Sequence, residues 1–562
     1  MPLHFQLPRQ FAQKLGRGLR AASAVLLATA AVGCASLPVN TGRTASQAFQ
    51  SPEQTALGQL INLRRTQAAA RSDSGFRLLE NVDEALAARL ALTDAAQKTL
   101  DLQYYAIHAD ASTELILQRL RDAARRGVRV RLLLDDFNAV GKDAQVLRLA
   151  FEPNVEIRLF NPLPGSRASL MGRVFTSLKD LDRIQKRMHN KLFVADNAMG
   201  ISGGRNLGDA YFGGPTASNF IDLDTLAAGR IVRDMSASFD RYWNDDLAFP
   251  MEKLVSAEDL EKLRKAPSTA SSIASDQDIA IKPAAPALAT KTSAVMPDVT
   301  RAAVEEATPP SYDLRSMPFI WAPSILLVDK PGKIGPDDDE VDAGETVVDG
   351  LLTLMGQAKR DVLVVSPYFV PGPEMMKLFA QMRGKGVRVR VLTNSLASND
   401  APAAHAGYAR YRKDLLAMGV DLYEMRADQA GLASGRSAGS GLGSGGGGSK
   451  SGTSRASLHS KAAFIDGRIA VVGSMNLDLR SQKQNSEVAL VIRSAALSKL
   501  ATQQIETTLA QGAYRVALED GALVWRAPPG AAFKDTHSEP DATTTQRLLV
   551  ELITPFAPEE ML

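Results

Sequence analysis

Apolar and polar residues near the start of the folded region follow an order that predicts a strand, a helix and a second strand. Residues 99–105 alternate between the two types, which is typical of a strand with one buried face. Residues 112–126 have helical character and stop before Gly127, a residue that commonly ends helices. The apolar run at 127–134 predicts a buried strand. This order is that of a parallel βαβ unit.

The same order of elements returns in the second half of the chain. The pentapeptide Gly-Val-Arg-Val-Arg occurs at 127–131 and again at 386–390. Around the second copy the pattern predicts a strand at 361–369, a helix at 373–383 and a strand at 386–392. Such a repeat indicates two copies of one α/β domain.

Shifts in residue composition divide the chain into segments. In order, we predict a signal peptide (1–33), a polar spacer (34–73), a first domain (74–264), an Ala/Pro/Ser-rich linker (265–310), a second domain (311–545) and a C-terminal tail (546–562). Within the second domain, the Gly/Ser-rich residues 428–457 predict a flexible surface insertion. That insertion is either a tolerated neutral element or a mobile flap.

Composition and charge narrow the class of protein. With 562 residues, 45% apolar and 23% charged, the chain is neither a disordered nor a collagen-like nor a multi-span membrane protein. Four of its cations lie within the first 33 residues, and removing them from the net charge of +3 leaves −1. A near-neutral body lacks the basic field of a nucleic-acid binder, so no nucleic-acid partner is expected. The single cysteine excludes an internal disulfide and a multi-cysteine metal site.

The N-terminus has the order of an export signal. A basic stretch that ends at Arg20 precedes a largely apolar run at 21–32 and small residues around Cys34. The run is shorter than the about 20 residues that span a bilayer. Residues 31–34 resemble a bacterial lipoprotein box, which implies lipidation of Cys34 and a membrane-anchored protein of the bacterial cell envelope. A simple cleaved signal and an uncleaved anchor remain open.

One motif occurs twice, once in each predicted domain. A histidine is followed by Lys at +2, Asp at +7, Gly at +14 and Asn at +17. The first copy comprises His189, Lys191, Asp196, Gly203 and Asn206, and the second comprises His459, Lys461, Asp466, Gly473 and Asn476.

The spacing within the motif favours phosphoryl chemistry. On a strand, His and Lys two positions apart share a face, whereas Asp at an odd offset points away and is better suited to bracing the strand. Lysine ammonium groups bind phosphate. Of two imidazoles, one can act as a nucleophile and the other as a general acid. Lys and Asn donors would stabilise the phosphate oxygens, so neither a metal nor another cofactor is expected.

The paired motifs resemble the phospholipase D superfamily over most of residues 75–545. The resemblance implies an α/β fold of two duplicated phospholipase D-like α/β/α domains, each a mixed sheet flanked by helices. A pseudo-two-fold axis would relate the domains, which would share one site. The stretches 203–212, 222–224 and 474–481 are similar to bacterial cardiolipin synthases of the C type, although Ala210 replaces an expected acidic residue.

The resemblance also implies roles for individual residues. Its catalytic set is His189, Lys191, Asp196, His459, Lys461 and Asp466, with His189 as nucleophile and His459 as general acid and later base; the reverse order remains open. The implied substrate-binding residues are Gly204, Asn206, Ser474 and Asn476. Asp224 and Glu487 would orient the histidines, unless they are solvated acids at strand edges. His108 and His405 are expected outside the site.

The implied reaction is phosphatidyl transfer that makes cardiolipin from phosphatidylglycerol, with phosphatidylethanolamine as a possible second substrate. Hydrolysis of phospholipid to phosphatidic acid is the main alternative, followed by a nuclease of the same superfamily and a non-catalytic lipoprotein. The basic amphipathic stretch 169–187 either lies on a membrane surface or packs on its own domain.

Overall fold

The computed structural model describes residues 37–139, 141–165, 181–213, 218–255, 258–261, 312–334, 346–427 and 455–554. The predicted signal peptide, Cys34, the linker and most of the Gly/Ser-rich insertion lie outside these residues, as does most of the stretch 169–187. The described part of the chain contains two nine-stranded mixed sheets and two short two-stranded sheets.

Strands and helices alternate along much of the first half. The strands are β1 (Ser74–Leu79), β2 (Thr99–Tyr104), β3 (Arg129–Asp135), β4 (Val155–Phe160), β5 (Arg187–Met188), β6 (Leu192–Ala195), β7 (Met199–Gly203), β8 (Ser218–Ile221), β9 (Asp224–Gly229), β10 (Ala248–Pro250) and β11 (Ile320–Trp321). The helices are α1 (Ala56–Gln67), α2 (Val82–Ala95), α3 (Ala111–Arg125), α4 (Leu181–Gln185), α5 (Asp209–Phe212), α6 (Arg230–Trp243) and α7 (Met251–Leu254), with 3-10 turns at Pro52–Gln54 and Gly141–Phe151. The sheet order is β10-β4-β3-β2-β6-β7-β9-β1-β11.

The second half repeats this plan. Its strands are β12 (Ser324–Val328), β13 (Asp361–Val365), β14 (Arg388–Asn394), β15 (Asp421–Met425), β16 (Arg455–Leu458), β17 (Ala462–Ile465), β18 (Ile469–Gly473), β19 (Asn485–Ser486), β20 (Val488–Arg493), β21 (Ala513–Glu519) and β22 (Ala522–Arg526). Its helices are α8 (Val347–Gly356), α9 (Gly372–Gly384), α10 (Pro402–Ala417), α11 (Leu479–Lys483), α12 (Ala495–Gly512) and α13 (Thr544–Ile553), with a 3-10 turn at Pro331–Ile334. The sheet order is β12-β20-β18-β17-β13-β14-β15-β21-β22.

Both predicted βαβ units are present. β2 pairs parallel with β3, and β13 pairs parallel with β14. Gly127 and Gly386 follow helices α3 and α9 with φ of +92° and +78°, a backbone conformation that a side chain disfavours. Each motif strand, β6 or β17, pairs antiparallel with the first strand of the unit, so the motifs lie at the centre of their sheets.

Three large apolar cores lie in the described part of the chain, and one of them joins the two halves. Helices α1 to α3 cover one face of the first sheet, and helices α8 to α10 cover one face of the second. The two remaining faces share a single core with α6 and α12, whose buried side chains include Phe239 and Leu497. Each half is therefore an α/β/α unit, and the inner helices pack between the sheets.

The structure corrects three predicted boundaries. The predicted spacer 34–73 contains α1, whose Leu57 and Ile61 are buried in the first core. The first sheet ends with β11, which lies after the linker and pairs antiparallel with β1, so a boundary at 311 is wrong for this strand. The predicted tail begins inside α13, where Val550 packs on the second half. In each case a few apolar side chains tie a segment of unremarkable composition to the fold.

Candidate active site

Each motif histidine is held by the backbone of the opposite half. β5, just before His189, pairs parallel with β19, and β16, just before His459, pairs parallel with β8. The His189 backbone N–H donates to Ser486 O at 2.9 Å, and that of His459 donates to Ile221 O at 2.8 Å. The two histidines are thereby drawn from separate sheets to one seam between the halves.

Glu487, one of the two acids expected to orient a histidine, lies beside the ring of His189. Its Oε2 lies 3.0 Å from His189 Nδ1. The hydroxyls of Ser474 and Ser481 donate to the same carboxylate, and its backbone N–H donates to Asp329 at 2.8 Å. Burial raises the pKa of Glu487 to about 7. The acid is therefore fixed in position and shielded from solvent.

Asp222, and not the predicted Asp224, binds the ring of His459. Asp222 Oδ2 lies 2.6 Å from His459 Nδ1. Asp222 precedes β9 and lies at the seam, whereas Asp224 is already inside β9 and pairs with Arg89 at 2.8 Å and Arg205 at 3.4 Å. Burial alone would raise the pKa of Asp224, but the two arginines outweigh it and lower that pKa. The prediction for Asp224 is corrected: this residue is a buried ion-pair partner.

Both motif lysines are buried beside their own histidines. Lys191 Nζ donates to His189 O at 2.8 Å, and Lys461 Nζ donates to His459 O at 2.6 Å. Lys461 Nζ also lies 3.1 Å from His459 Nδ1. Burial lowers the pKa of Lys191 to about 7 and that of Lys461 to about 8. A buried ammonium with so little solvation gains strongly from a phosphate anion.

The two histidines and the two lysines influence one another's pKa across the seam between the halves. Burial and then the charge of Lys191 lower the pKa of His189 well below its usual value, and Lys461 and His459 contribute from the other half. Burial and Lys461 also lower the pKa of His459, against the opposing effect of Asp222. Both imidazoles are therefore neutral at pH 7 before a phosphate anion binds.

Aromatic rings pack against the two imidazoles, which are only 8% and 6% exposed. Tyr105 contacts His189 edge-on at 5.2 Å between ring centroids. Tyr211 and Phe220 contact His459 at 5.3 and 4.9 Å. Because each Nδ1 faces a carboxylate, the second ring nitrogen, Nε2, is the one left for substrate in both histidines.

The motif aspartates do not reach the pocket, so their inclusion in the catalytic set is corrected. Asp196 accepts backbone N–H bonds from Gln97, Lys98 and Thr99 at 2.7 to 2.9 Å. Asp466 accepts three equivalent bonds from residues 359–361. Both brace the start of the neighbouring strand, as the odd offset from the histidine indicated.

Of the two motif asparagines, only Asn476 is available to a ligand. Asn206 is committed to the protein, since its Oδ1 accepts from Ala106 N at 3.3 Å and its Nδ2 donates to Tyr211 at 3.0 Å. The Oδ1 of Asn476 is buried and has no hydrogen-bond partner among the described residues. A phosphate in the pocket would supply a partner for this amide, whose O and N positions are interchangeable.

Gly204 and Ser474, which were expected to bind substrate, lie against the two acids that orient the histidines. A Cβ at Gly204 would lie 2.2 Å from Asp222 Oδ1. At the equivalent place in the second half, the Ser474 hydroxyl donates to Glu487. Each position accommodates the acid that binds the opposite histidine.

His108 and His405 lie outside the site, as predicted. His108 pairs with Asp143 at 2.9 Å, and His405 contacts Arg412 at 2.7 Å within the second half. Ser481, Tyr105, Tyr211 and Phe220 were missed by sequence reasoning, because they come from separate elements without a shared spacing.

Comparison with known proteins identifies the family. The family model "Cardiolipin synthase, PLD-like domain" matches residues 90–243 and 351–509, which is more than half of the chain. The chain belongs to the PLD-like cardiolipin synthase family. It is 34% identical to cardiolipin synthase C of Escherichia coli K12 over 454 residues, which cover 80% of this chain and 88% of the relative.

Two further comparisons extend over most of this family member. A Helicobacter pylori protein described as uncharacterized is 30% identical over 520 residues, or 92% of this chain and 95% of the relative. The crystal structure of a phosphatidylserine synthase of Haemophilus influenzae matches with a TM-score of 0.48 and 14% identity, covering 80% of this chain and 91% of that one.

Two general features of this cardiolipin synthase homologue concern ions and membranes. Within the described ranges, no three His, Cys, Asp or Glu side chains form a group that could hold a metal ion. In the same part of the chain, no helix has the length and apolar character needed to cross a bilayer.

The enzyme is a phosphatidyltransferase of the phospholipase D superfamily.

Proposed function

We propose that this enzyme makes cardiolipin by transferring a phosphatidyl group from one phospholipid to a hydroxyl of another through a phosphohistidine at His189. The observation that carries the proposal is the reciprocal pairing of His189 with Glu487 and of His459 with Asp222 around two buried lysines. The name of the Escherichia coli relative supports cardiolipin as the product.

In the first step, His189 Nε2 attacks phosphorus and a P–N bond forms. The bond from phosphorus to the headgroup oxygen breaks, and the leaving oxygen takes a proton from His459. Lys191, Lys461 and Asn476 donate to the non-bridging oxygens, whose charge grows at this point. A phosphatidylglycerol donor releases glycerol, and a phosphatidylethanolamine donor releases ethanolamine.

In the second step, a hydroxyl of phosphatidylglycerol gives its proton to His459. Its oxygen forms the new bond to phosphorus while the P–N bond breaks, which frees His189 and yields cardiolipin. Water in place of this hydroxyl would give phosphatidic acid. The aromatic rings support transfer, since Tyr105, Tyr211 and Phe220 pack against the imidazoles and take space that water would otherwise occupy.

The two acids support the assignment of roles. Asp222 lies 2.6 Å from His459, so it stabilises the imidazolium that a general acid needs, and a bound phosphate anion adds to this effect. Glu487 has a pKa of about 7 and is therefore only partly charged, which favours a neutral His189. A neutral imidazole is the form that attacks phosphorus.

We further propose that the enzyme works at the surface of a bacterial envelope membrane. The basic and apolar order of residues 1–33 supports export, and Cys34 in a lipoprotein-like context supports an acyl anchor. Mass spectrometry of the mature N-terminus tests this proposal. A diacylated residue 34 at the N-terminus is the expected result, and an unmodified Cys34 would overturn the anchor.

A lipid assay tests the reaction. The purified enzyme is incubated with vesicles of labelled phosphatidylglycerol, with and without phosphatidylethanolamine, and the products are separated. Cardiolipin is the expected product, and phosphatidic acid alone would identify a hydrolase instead. His189→Ala is expected to be inactive, and His108→Ala, a histidine outside the site, serves as the matched control. Activity should persist in chelator.

A further inference from the structure

An exposed carboxylate lies at the rim of the site and has no role in the two steps above. Asp400 lies in the loop between β14 and α10 and is exposed to solvent. Tyr368, just after β13, donates its hydroxyl toward both carboxylate oxygens, at 2.9 and 3.0 Å. β13 and β14 are parallel neighbours, so their carboxyl ends bring the two residues to the same edge of the sheet.

The loop that carries Asp400 is joined to the His459 side of the pocket. At its start, the Asn394 side chain accepts from Leu458 N and donates to Leu458 O, each at 2.9 Å. Leu458 is the residue before His459. Burial, Lys461 and Asp222 affect the pKa of His459 most, and burial, Asp222 and Glu487 affect that of Lys461 most. The negative charge of Asp400 raises both pKa values further.

A carboxylate at this place does not suit the phosphate of the substrate, because two anions repel each other. It suits groups that donate hydrogen bonds. His459 exchanges its proton with the alcohol that leaves or enters, so side chains at its rim contact the alcohol part of the substrate and not the acyl chains. A carboxylate can accept two hydrogen bonds from neighbouring hydroxyls of one polyol.

We propose that Asp400, oriented by Tyr368, is a specificity-determining residue that binds the hydroxyl groups of the glycerol end of the acceptor. This inference rests on the proposed transfer reaction and adds to it the residue that selects the acceptor. The carboxylate accepts a hydrogen bond from the hydroxyl that does not react and so presents the other hydroxyl to His459. Water and simple alcohols lack the second hydroxyl and gain nothing from Asp400.

A competition between acceptors tests the inference. The donor is a synthetic phosphatidyl-p-nitrophenol in detergent micelles, and glycerol, 1-propanol and water compete for one phosphoenzyme. The measured quantity is the ratio of phosphatidylglycerol to phosphatidylpropanol. Because both products arise from the same intermediate, this ratio does not depend on how fast the intermediate forms or on how much enzyme is folded.

The wild-type enzyme is expected to prefer glycerol. Asp400→Asn and Asp400→Ala should lower the ratio by about tenfold, the equivalent of one hydrogen bond to a charged group. Tyr368→Phe should lower it by about threefold, since the carboxylate stays but loses its fixed orientation. Asp520→Asn makes the same chemical change at an exposed position in the turn between β21 and β22 and should leave the ratio unchanged.

Three results would contradict the inference in different ways. An unchanged ratio in both Asp400 variants would overturn it and leave the proposed function intact. A selective loss of transfer to ethanolamine, added as a fourth acceptor, would show that Asp400 binds an ammonium group and not a polyol. A wild-type enzyme that forms only phosphatidic acid would overturn the proposed transfer reaction and this inference with it.

Discussion

His189 Nδ1 lies 3.0 Å from Glu487 Oε2, although 298 positions separate the two residues in the chain. The reciprocal contact, between His459 and Asp222, joins residues 237 positions apart. Each half of the molecule thus provides one histidine and the acid that orients the other. The site exists only when the two halves are packed together.

The roles of the two histidines can be separated with a leaving group that needs no proton. With phosphatidyl-p-nitrophenol, His459→Ala should release a burst of p-nitrophenolate and accumulate phosphohistidine at residue 189, because only the second step still needs a base. With phosphatidylglycerol the same variant should lose about 1,000-fold in turnover. Rapid-quench kinetics and mass spectrometry measure both. A burst from His189→Ala, with phosphate on residue 459, would show that the roles are reversed.

Asp222 and Asp224 should respond differently to the same substitution. Asp222→Asn removes the charge that stabilises the His459 imidazolium, so kcat should fall by about 100-fold with little change in the denaturation midpoint. Asp224→Asn leaves Arg89 and Arg205 without their carboxylate and should cost about 3 kcal/mol of stability. Urea unfolding and steady-state kinetics distinguish them. Equal losses of stability in the two variants would argue against this division.

We expect the pH dependence of kcat/KM to follow the protonation of the two buried lysines. As the pH rises through about 7 and then about 8, Lys191 and Lys461 lose their charge and bind phosphate less well. We therefore expect kcat/KM to fall from pH 7 to pH 9. On the acid side, His189 stays neutral below pH 6.5, since its pKa is well below that value, so activity should persist at pH 6. A value of kcat/KM that rises between pH 7 and 9 would refute this explanation.

The motif aspartates should affect stability more than chemistry. Asp196 is fully buried with three backbone hydrogen bonds, so Asp196→Ala should cost about 3 kcal/mol. Asp466 makes the same bonds at a partly exposed position, and Asp466→Ala should cost about 1 kcal/mol. Unfolding midpoints measure the difference. If both variants fold like the wild type and yet are inactive, the bracing role is wrong.

Local patterns were sufficient to predict much of the fold. Alternation and helix ends predicted both βαβ units, and Gly127 marked where the first of their helices ends. Helix α1 escaped prediction because the residues around it are polar and rich in Ala and Gln, although Leu57 and Ile61 are buried in the core and Leu60 packs against it. Strand β11 escaped because two residues are too few for a pattern.

The chemistry of the site was readable from the motif, but its partners were not. Which acid meets which histidine depends on β5 pairing with β19 and β16 with β8, and sequence spacing carries no information on pairing between halves. The two motif asparagines, Asn206 and Asn476, occupy the same position in their motifs. Their hydrogen bonding differs in the structure because the Tyr211 hydroxyl accepts a hydrogen bond from the Asn206 side chain.

The reciprocal strand pairs of β5 with β19 and β8 with β16 have a consequence for ancestry. A single-copy ancestor of this domain could have completed such a site only as a symmetric homodimer, in which the acid of each subunit orients the histidine of the other. Joining two copies in one polypeptide removed the requirement that both be identical. The two halves now differ at this place. Asp222 lies against Gly204, whereas Glu487 lies against Ser474.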